Sequence, residues 1–173
     1  IAERLFPQPD PAPTGEPSIP GEDTTPPTTR PVTRPVPRAE RPTGIISTQP
    51  VEVVASGIVD VSGARVTVER PGHPIDGLEL HVPGDAYAEP KQFEISSARV
   101  ADHTFGEAFT PLSPLITIEN GGDYSDGFMK VTVPIDLPDD WFAMPFYYDE
   151  ATGTLEGIPF TDLQQDSITV VTR

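Results

Sequence analysis

The sequence has no cysteine, and it contains only three histidines and one tryptophan among 173 residues. The absence of cysteine excludes disulfide bonds and thiolate metal ligands within this chain. No two of the three histidines, His73, His81 and His103, have the spacing of a metal-binding pair, so a zinc site would need ligands from several loops. No apolar run approaches the roughly 20 residues of a membrane-spanning helix. The sequence therefore predicts neither a zinc enzyme nor insertion into a membrane.

Basic residues are also scarce, with 11 Lys and Arg against 27 Asp and Glu. The imbalance lies in residues 51–173, which hold six basic and 21 acidic residues. A domain this acidic repels nucleic acid and anionic lipid. Cations, basic proteins and uncharged glycans remain as partners, and the alternative is that the acids only keep an exported domain soluble.

Proline is abundant, and 13 of the 23 prolines lie in residues 1–50. This segment has too few apolar side chains to offset its conformational entropy by burial, so we expect it to be extended. The sequence predicts a Pro/Thr-rich linker or stalk over residues 1–48 and one folded domain over 49–173. The chain begins at Ile1 rather than Met, which fits removal of a signal peptide and predicts an extracellular or cell-surface location.

From residue 51 onward, apolar residues recur with a period of two, which is typical of β-strands. The apolar positions that share a face in this pattern are Ala64, Val66 and Val68; Leu78, Leu80 and Val82; Phe93 and Ile95; Val131, Val133 and Ile135; Phe142, Met144, Phe146 and Tyr148; and Ile168 and Val170. Turn signals such as "PGHP", "NGGD" and "DEATG" separate these runs. The pattern predicts an all-β, antiparallel β-sandwich without a substantial helix.

Several segments resemble the ZU-type domain, the β-sandwich shared by zonula occludens proteins, netrin receptors and ankyrins. "LELHVPGDAYAEPKQFEI" is similar to its strand, Pro-Gly-x-Ala corner and following strand, and "FTPLSPLITIENGGDYSDGFMKVTVPID" is similar to its next pair of strands. "FYYDEATGTLEGIP" and "SITVVTR" resemble the closing strands of bacterial, exported versions of the domain. The resemblance covers residues 57–173 and makes Pro83 and Gly84 a corner with the small residue Ala86 beneath it.

The resemblance implies a noncatalytic surface module for protein or glycan interaction, adhesion or envelope architecture. The alternative is the N-terminal part of a self-cleaving ZU-type domain, because some members break their own chain at a His-Phe-Ser motif. That motif would lie beyond Arg173, since "DHTFGE" at residues 102–107 has neither its order nor its serine. Self-association through sheet edges or the N-terminal segment is a further expectation.

Catalytic patterns are weak in this sequence. It contains no Gly-x-Ser-x-Gly elbow, and carboxylate pairs such as Asp139–Asp140 occur in turns. A carboxylate site on Asp85 and Glu89 is an alternative to a purely structural role of the Pro83 corner. We predict that the protein is not an enzyme and needs no cofactor.

The loop "IENGGDYSDG" offers the best alternative for a cofactor, which is calcium. Glu119, Asp123 and Asp126, together with the Asn120 side chain and backbone carbonyls, carry oxygen ligands that a hard cation prefers, but the spacing does not match an EF-hand. The sequence favours a polar hairpin loop over a calcium site.

Aromatic residues provide the candidate interaction site. Trp141, Phe142, Phe146, Tyr147 and Tyr148 lie close together, and aromatic side chains give a large contact area at low entropic cost. The predicted contact residues are Trp141, Tyr147 and Tyr124. The competing interpretation places Phe142, Met144, Phe146 and Tyr148 in the core and leaves only Tyr147 exposed.

Overall fold

Twelve antiparallel β-strands make up the regular structure of the part of the chain that is described. The computed structural model describes residues 41–122 and 124–173. The strands are β1 (Ile46–Thr48), β2 (Glu52–Val59), β3 (Ala64–Thr67), β4 (Glu79–Val82), β5 (Lys91–Ala98), β6 (Val100–His103), β7 (Leu115–Glu119), β8 (Met129–Pro134), β9 (Phe146–Asp149), β10 (Thr154–Gly157), β11 (Phe160–Leu163) and β12 (Ser167–Thr172). The predicted all-β, antiparallel class is confirmed. Of the linker predicted over residues 1–48, residues 1–40 lie outside the described residues. Within the described ranges there is no helix, and hence none that is long and apolar enough to span a membrane.

The larger sheet has five strands in the order β11-β12-β8-β4-β3. Strand β8 is central, and its Val131 lies opposite Val170 of β12 on one side and Leu80 of β4 on the other. The strand ends at Pro134, which has no N–H to donate to a ladder. Proline therefore ends a central strand here.

A three-stranded sheet in the order β2-β5-β7 supplies the other half of the core. Most of its buried side chains belong to the same apolar cluster as those of the five-stranded sheet. The fully or almost fully buried members of this cluster include Val54, Val59, Phe93 and Ile95 from the smaller sheet and Leu80, Val82, Val131, Val133, Ile168 and Val170 from the larger one. Period-two burial is confirmed in β4, β5, β8 and β12 because each alternates a core residue with a more exposed one.

Two small sheets of two strands each, β1-β6 and β9-β10, meet at the start of the described chain. Thr43 forms an isolated antiparallel bridge with Thr154, and the Gly44 N–H donates to the Gly153 carbonyl over 2.8 Å. Phe105 packs edge-on against Tyr148 with ring centroids 6.3 Å apart. The sequence predicted that residues 42–48 belong to the linker. These residues instead form hydrogen bonds with the rest of the described structure.

The turn between β9 and β10 has the geometry that its sequence "DEATG" predicts. Gly153 has a φ of 69°, which glycine adopts without steric cost. The Asp149 carboxylate accepts hydrogen bonds from the Thr152 hydroxyl at 2.7 Å and from the Ala151 N–H at 3.0 Å. These bonds, that of Thr152 first, hold the pKa of Asp149 below its ordinary value of 3.8.

This turn should lose stability in acid. Because the pKa of Asp149 is lower in the folded than in the unfolded chain, its contribution is complete above pH 3.8 and is lost as the pH falls through the folded value. In a ¹³C NMR titration we expect the Asp149 carboxyl to have a midpoint below 3.8. Thr152→Val should move that midpoint upward, and an unchanged midpoint in this variant would contradict the assigned cause.

Candidate interaction surface

The Pro83 corner, the first candidate for chemistry, is a packed structural turn. Ala86 is buried as predicted, and the Asp85 N–H donates to the Val61 carbonyl over 2.8 Å. Asp85 has a φ of 60° and is exposed, as is Glu89. Neither carboxylate is enclosed by a cleft. The buried Ala86 and the hydrogen bond to Val61 instead order the chain between β4 and β5.

In the candidate calcium loop, the Asn120 side chain is engaged in other hydrogen bonds. The Asn120 amide donates to the Tyr87 hydroxyl over 2.7 Å, while its oxygen accepts the Gly122 N–H at 3.1 Å. Glu119 and Asp126 are exposed, and Asp123 lies outside the described residues. Among residues 41–122 and 124–173, no group of three His, Asp or Glu side chains is placed to hold a metal ion.

His73 and His103 occupy structural positions, and His81 is exposed. His81 points outward from β4. His103 packs edge-on against Phe109 with ring centroids 5.1 Å apart, and its Nδ1 is buried without a hydrogen-bond partner among the described atoms. His73 is the only one of the three that contacts both a serine and a carboxylate in the described part of the chain.

Glu52, His73 and Ser97 form a cluster that sequence reasoning missed. His73 Nε2 lies 3.4 Å from the Ser97 Oγ and 3.9 Å from the Glu52 carboxylate. The three residues are far apart in sequence, on β2, a loop and β5, and each side chain alone carries no signal.

The protonation pattern of this cluster does not suit a nucleophile. His73 Nδ1 accepts the Ile75 N–H at 3.4 Å, so the neutral ring carries its proton on Nε2. The Ser97 hydroxyl therefore faces a donor instead of a base that could remove its proton. Moreover, Arg70 donates to Glu52 over 2.6 Å, and Ser97 is buried. This geometry fits a structural polar cluster.

An exposed segment with two neighbouring aromatic side chains follows the end of β8. Trp141, Phe142 and Met144 are 52%, 66% and 57% exposed, whereas Ala143 between them is buried. The Phe142 ring lies 6.1 Å from that of Phe160 on the edge strand β11. We call Trp141, Phe142, Met144 and Phe160 the aromatic surface.

The interpretation that placed Phe142 and Met144 in the core is wrong. The chain turns at residues 138–141, where the Trp141 N–H donates to the Pro138 carbonyl over 3.2 Å and Asp140 has a φ of 66°. Strand β9 begins only at Phe146. Phe142 and Met144 thus have the period of a strand but lie outside any sheet, while Phe146 and Tyr148 are partly buried.

The three predicted contact residues are all exposed, but they do not form one surface. Tyr124, at 87% exposed, lies in the loop that enters β8, and Trp141 lies in the segment that leaves β8. The six residues of β8 separate the two loops by roughly 17 to 20 Å. Tyr147 lies on β9 opposite Glu156. Of the three, only Trp141 belongs to the aromatic surface.

Comparison of the chain with protein-family models, curated proteins and solved structures gives no match. The role of the aromatic surface therefore has to be inferred from the chain's own residues.

Proposed function

We propose that this chain is a noncatalytic cell-surface module that binds a protein or glycan through the aromatic surface. The observation that carries the proposal is the exposure of Trp141, Phe142 and Met144 on a segment anchored by buried Ala143. Contiguous exposed apolar side chains on a folded domain mark interaction sites more often than chance. Tryptophan is also among the residues that contribute most to binding energy when a partner covers it.

The architecture within this proposal is a ZU-like β-sandwich. Its support is that the three-stranded and five-stranded sheets contribute side chains to one apolar cluster. The residues that carry the resemblance also occupy fitting positions, since Pro83 follows β4 directly, Ala86 is buried and β8 ends in Val133 and Pro134. A rigid frame of this kind lowers the entropic cost of presenting a binding segment.

The segment that carries the aromatic surface is held to that frame at both ends. The Ile135 N–H donates to the Asp166 carbonyl over 3.0 Å, and the Leu137 N–H donates to the Gln165 carbonyl over 2.9 Å. At the other end, the Ile158 N–H donates to the Pro145 carbonyl over 3.0 Å. The aromatic side chains are therefore presented by an ordered segment, which favours a preformed binding surface.

The sole tryptophan provides a direct test. A ligand at the aromatic surface should shift the single indole N–H signal of Trp141 in a ¹H–¹⁵N NMR spectrum, and glycan and peptide arrays would supply the ligands. For any array hit, we expect the double variant Trp141→Ala/Phe142→Ala to weaken binding by at least about tenfold. Tyr124→Ala, on the loop at the other end of β8, is the matched control and should leave binding unchanged.

Two outcomes would overturn the proposal. One is a set of array hits whose binding depends on Tyr124 and not on Trp141 or Phe142. The other is chemical turnover of an array hit that stops when a single side chain, such as that of Ser97, is replaced.

A further inference from the structure

We infer that the aromatic surface binds a polypeptide segment that carries arginine or lysine. The inference rests on the proposed function and specifies its partner. It comes from the proximity of exposed aromatic rings to carboxylates that take part in none of the ion pairs among residues 41–122 and 124–173. The exposed carboxylates are those of Asp136, Asp139, Asp140, Asp162 and Asp166.

Asp136, Asp139 and Asp140 lie on the segment that leads from β8 to Trp141, and hydrogen bonds join this segment to the turn between β11 and β12. The Gln165 amide donates to the Asp139 carboxylate over 2.8 Å, and the Ile135 N–H donates to the Asp166 carbonyl over 3.0 Å. Asp140 directly precedes Trp141, and Asp162 lies on β11 two residues from Phe160. Asp139 and Asp140 therefore lie beside Trp141. Asp162 faces the other side of the sheet from Phe160, because a register shift sets Asp162 opposite Thr169 and Phe160 opposite the buried Val170.

Basic side chains lie elsewhere in the described structure. Residues 131–172 contain eight acidic residues and no Lys, Arg or His. Lys130 and Arg173 border this stretch, but Lys130 pairs with Val171 at the end of β8 remote from Pro134. The ion pairs found among the described residues use Glu52, Glu79 and Glu156 and none of the five aspartates. The charge beside the aromatic surface is thus uncompensated by these pairs.

A cationic segment is the ligand that uses both features of the surface. Guanidinium and ammonium groups bind over the faces of aromatic rings, with tryptophan the strongest acceptor, and carboxylates accept their hydrogen bonds. The negative field also speeds the encounter with a positive partner. A neutral glycan would use the rings but gain nothing from the charge, and an anionic ligand would be repelled.

The test uses a short acetylated and amidated peptide that alternates arginine with glycine. A peptide with citrulline in place of arginine has the same shape without the charge and serves as the control ligand. Binding to the full chain is measured by calorimetry at physiological ionic strength, where the Debye length is about 8 Å and distant charges are screened. We expect the arginine peptide to shift the Trp141 indole signal and the citrulline peptide to bind at least about tenfold more weakly.

Two variants locate the binding. Trp141→Ala should lower the affinity for the arginine peptide by about tenfold. Asp139→Asn/Asp140→Asn should lower the same affinity by about three- to tenfold. Asparagine retains an acceptor oxygen and tolerates the positive φ of Asp140. The matched control is Glu94→Gln/Glu119→Gln, which removes two charges from an exposed cross-strand pair on β5 and β7. This control should change the affinity by less than about twofold.

The outcomes separate this inference from the proposed function. Two results would overturn the cationic partner. One is equal weakening of arginine-peptide binding by Asp139→Asn/Asp140→Asn and by Glu94→Gln/Glu119→Gln, and the other is equal binding of the arginine and citrulline peptides. If neutral peptides or glycans then bind in a manner that depends on Trp141, the proposed function stands and only the inference fails. Binding of every ligand without dependence on Trp141 would overturn both.

Discussion

Replacing Phe93 with alanine should lower the free energy of unfolding by about 4 kcal/mol, the usual cost of truncating a buried phenylalanine. Phe93 is fully buried and packs edge-on against Tyr87 with ring centroids 5.9 Å apart. It lies on β5, the central strand of the smaller sheet, opposite Gly57 of β2. Gly57 has no side chain with which to fill the resulting cavity, so little of the loss should be recovered by relaxation of the neighbouring strand.

Thermal unfolding followed by circular dichroism would measure this effect. A loss of that size corresponds to a fall in melting temperature of roughly 20 °C for a domain of this size. The matched control is Phe142→Ala, which removes the same side chain from an exposed position and should cost less than about 0.5 kcal/mol. Equal losses in the two variants would mean that Phe93 is not in the core.

Replacing Gly63 with alanine should cost about 3 kcal/mol. Gly63 has a φ of 82°, and an added Cβ would lie 2.6 Å from the Val82 carbonyl oxygen and 2.7 Å from the Gly84 nitrogen. Both contacts are to backbone atoms, which cannot rotate away as a side chain can. The cost combines about 1 to 2 kcal/mol for the left-handed conformation with the displacement of the Pro83 corner.

Gly72 separates these two contributions. It also has a φ of 82°, but an added Cβ would have no atom within 4 Å. Gly72→Ala should therefore cost only about 1 to 2 kcal/mol, and urea unfolding of both variants gives the difference. If Gly72→Ala were as damaging as Gly63→Ala, the close approach of the β2–β3 turn to the Pro83 corner would have no energetic consequence.

Much of the fold was predictable because its determinants are local. The period of two at Leu80 and Val82 selects one buried face, and a glycine such as Gly153 allows the chain to reverse with a positive φ. These properties depend on a few consecutive residues, so they can be read without knowing the rest of the structure. The antiparallel, all-β class and the buried position of Ala86 follow from them.

The aromatic surface was only partly predictable. Trp141 was identified from its chemistry, but the period of Phe142 and Met144 fitted a buried strand equally well. Their exposure depends on the turn at residues 138–141, which ends the pairing of the chain before β9 begins. Burial of an apolar residue requires a second surface to cover it, and a sequence period does not specify whether that surface exists.

The sequence by itself determined the strand class, the turns, the acidic character and the aromatic content of the candidate site. Only the tertiary structure decided that β8 pairs with β4 and β12, that Glu52, His73 and Ser97 meet, and that Gln165 reaches Asp139 beside Trp141. The physical reason is the range of the interactions. Periodicity and turn conformation arise between neighbours in the chain, whereas sheet order and side-chain clusters depend on how distant strands together bury one core.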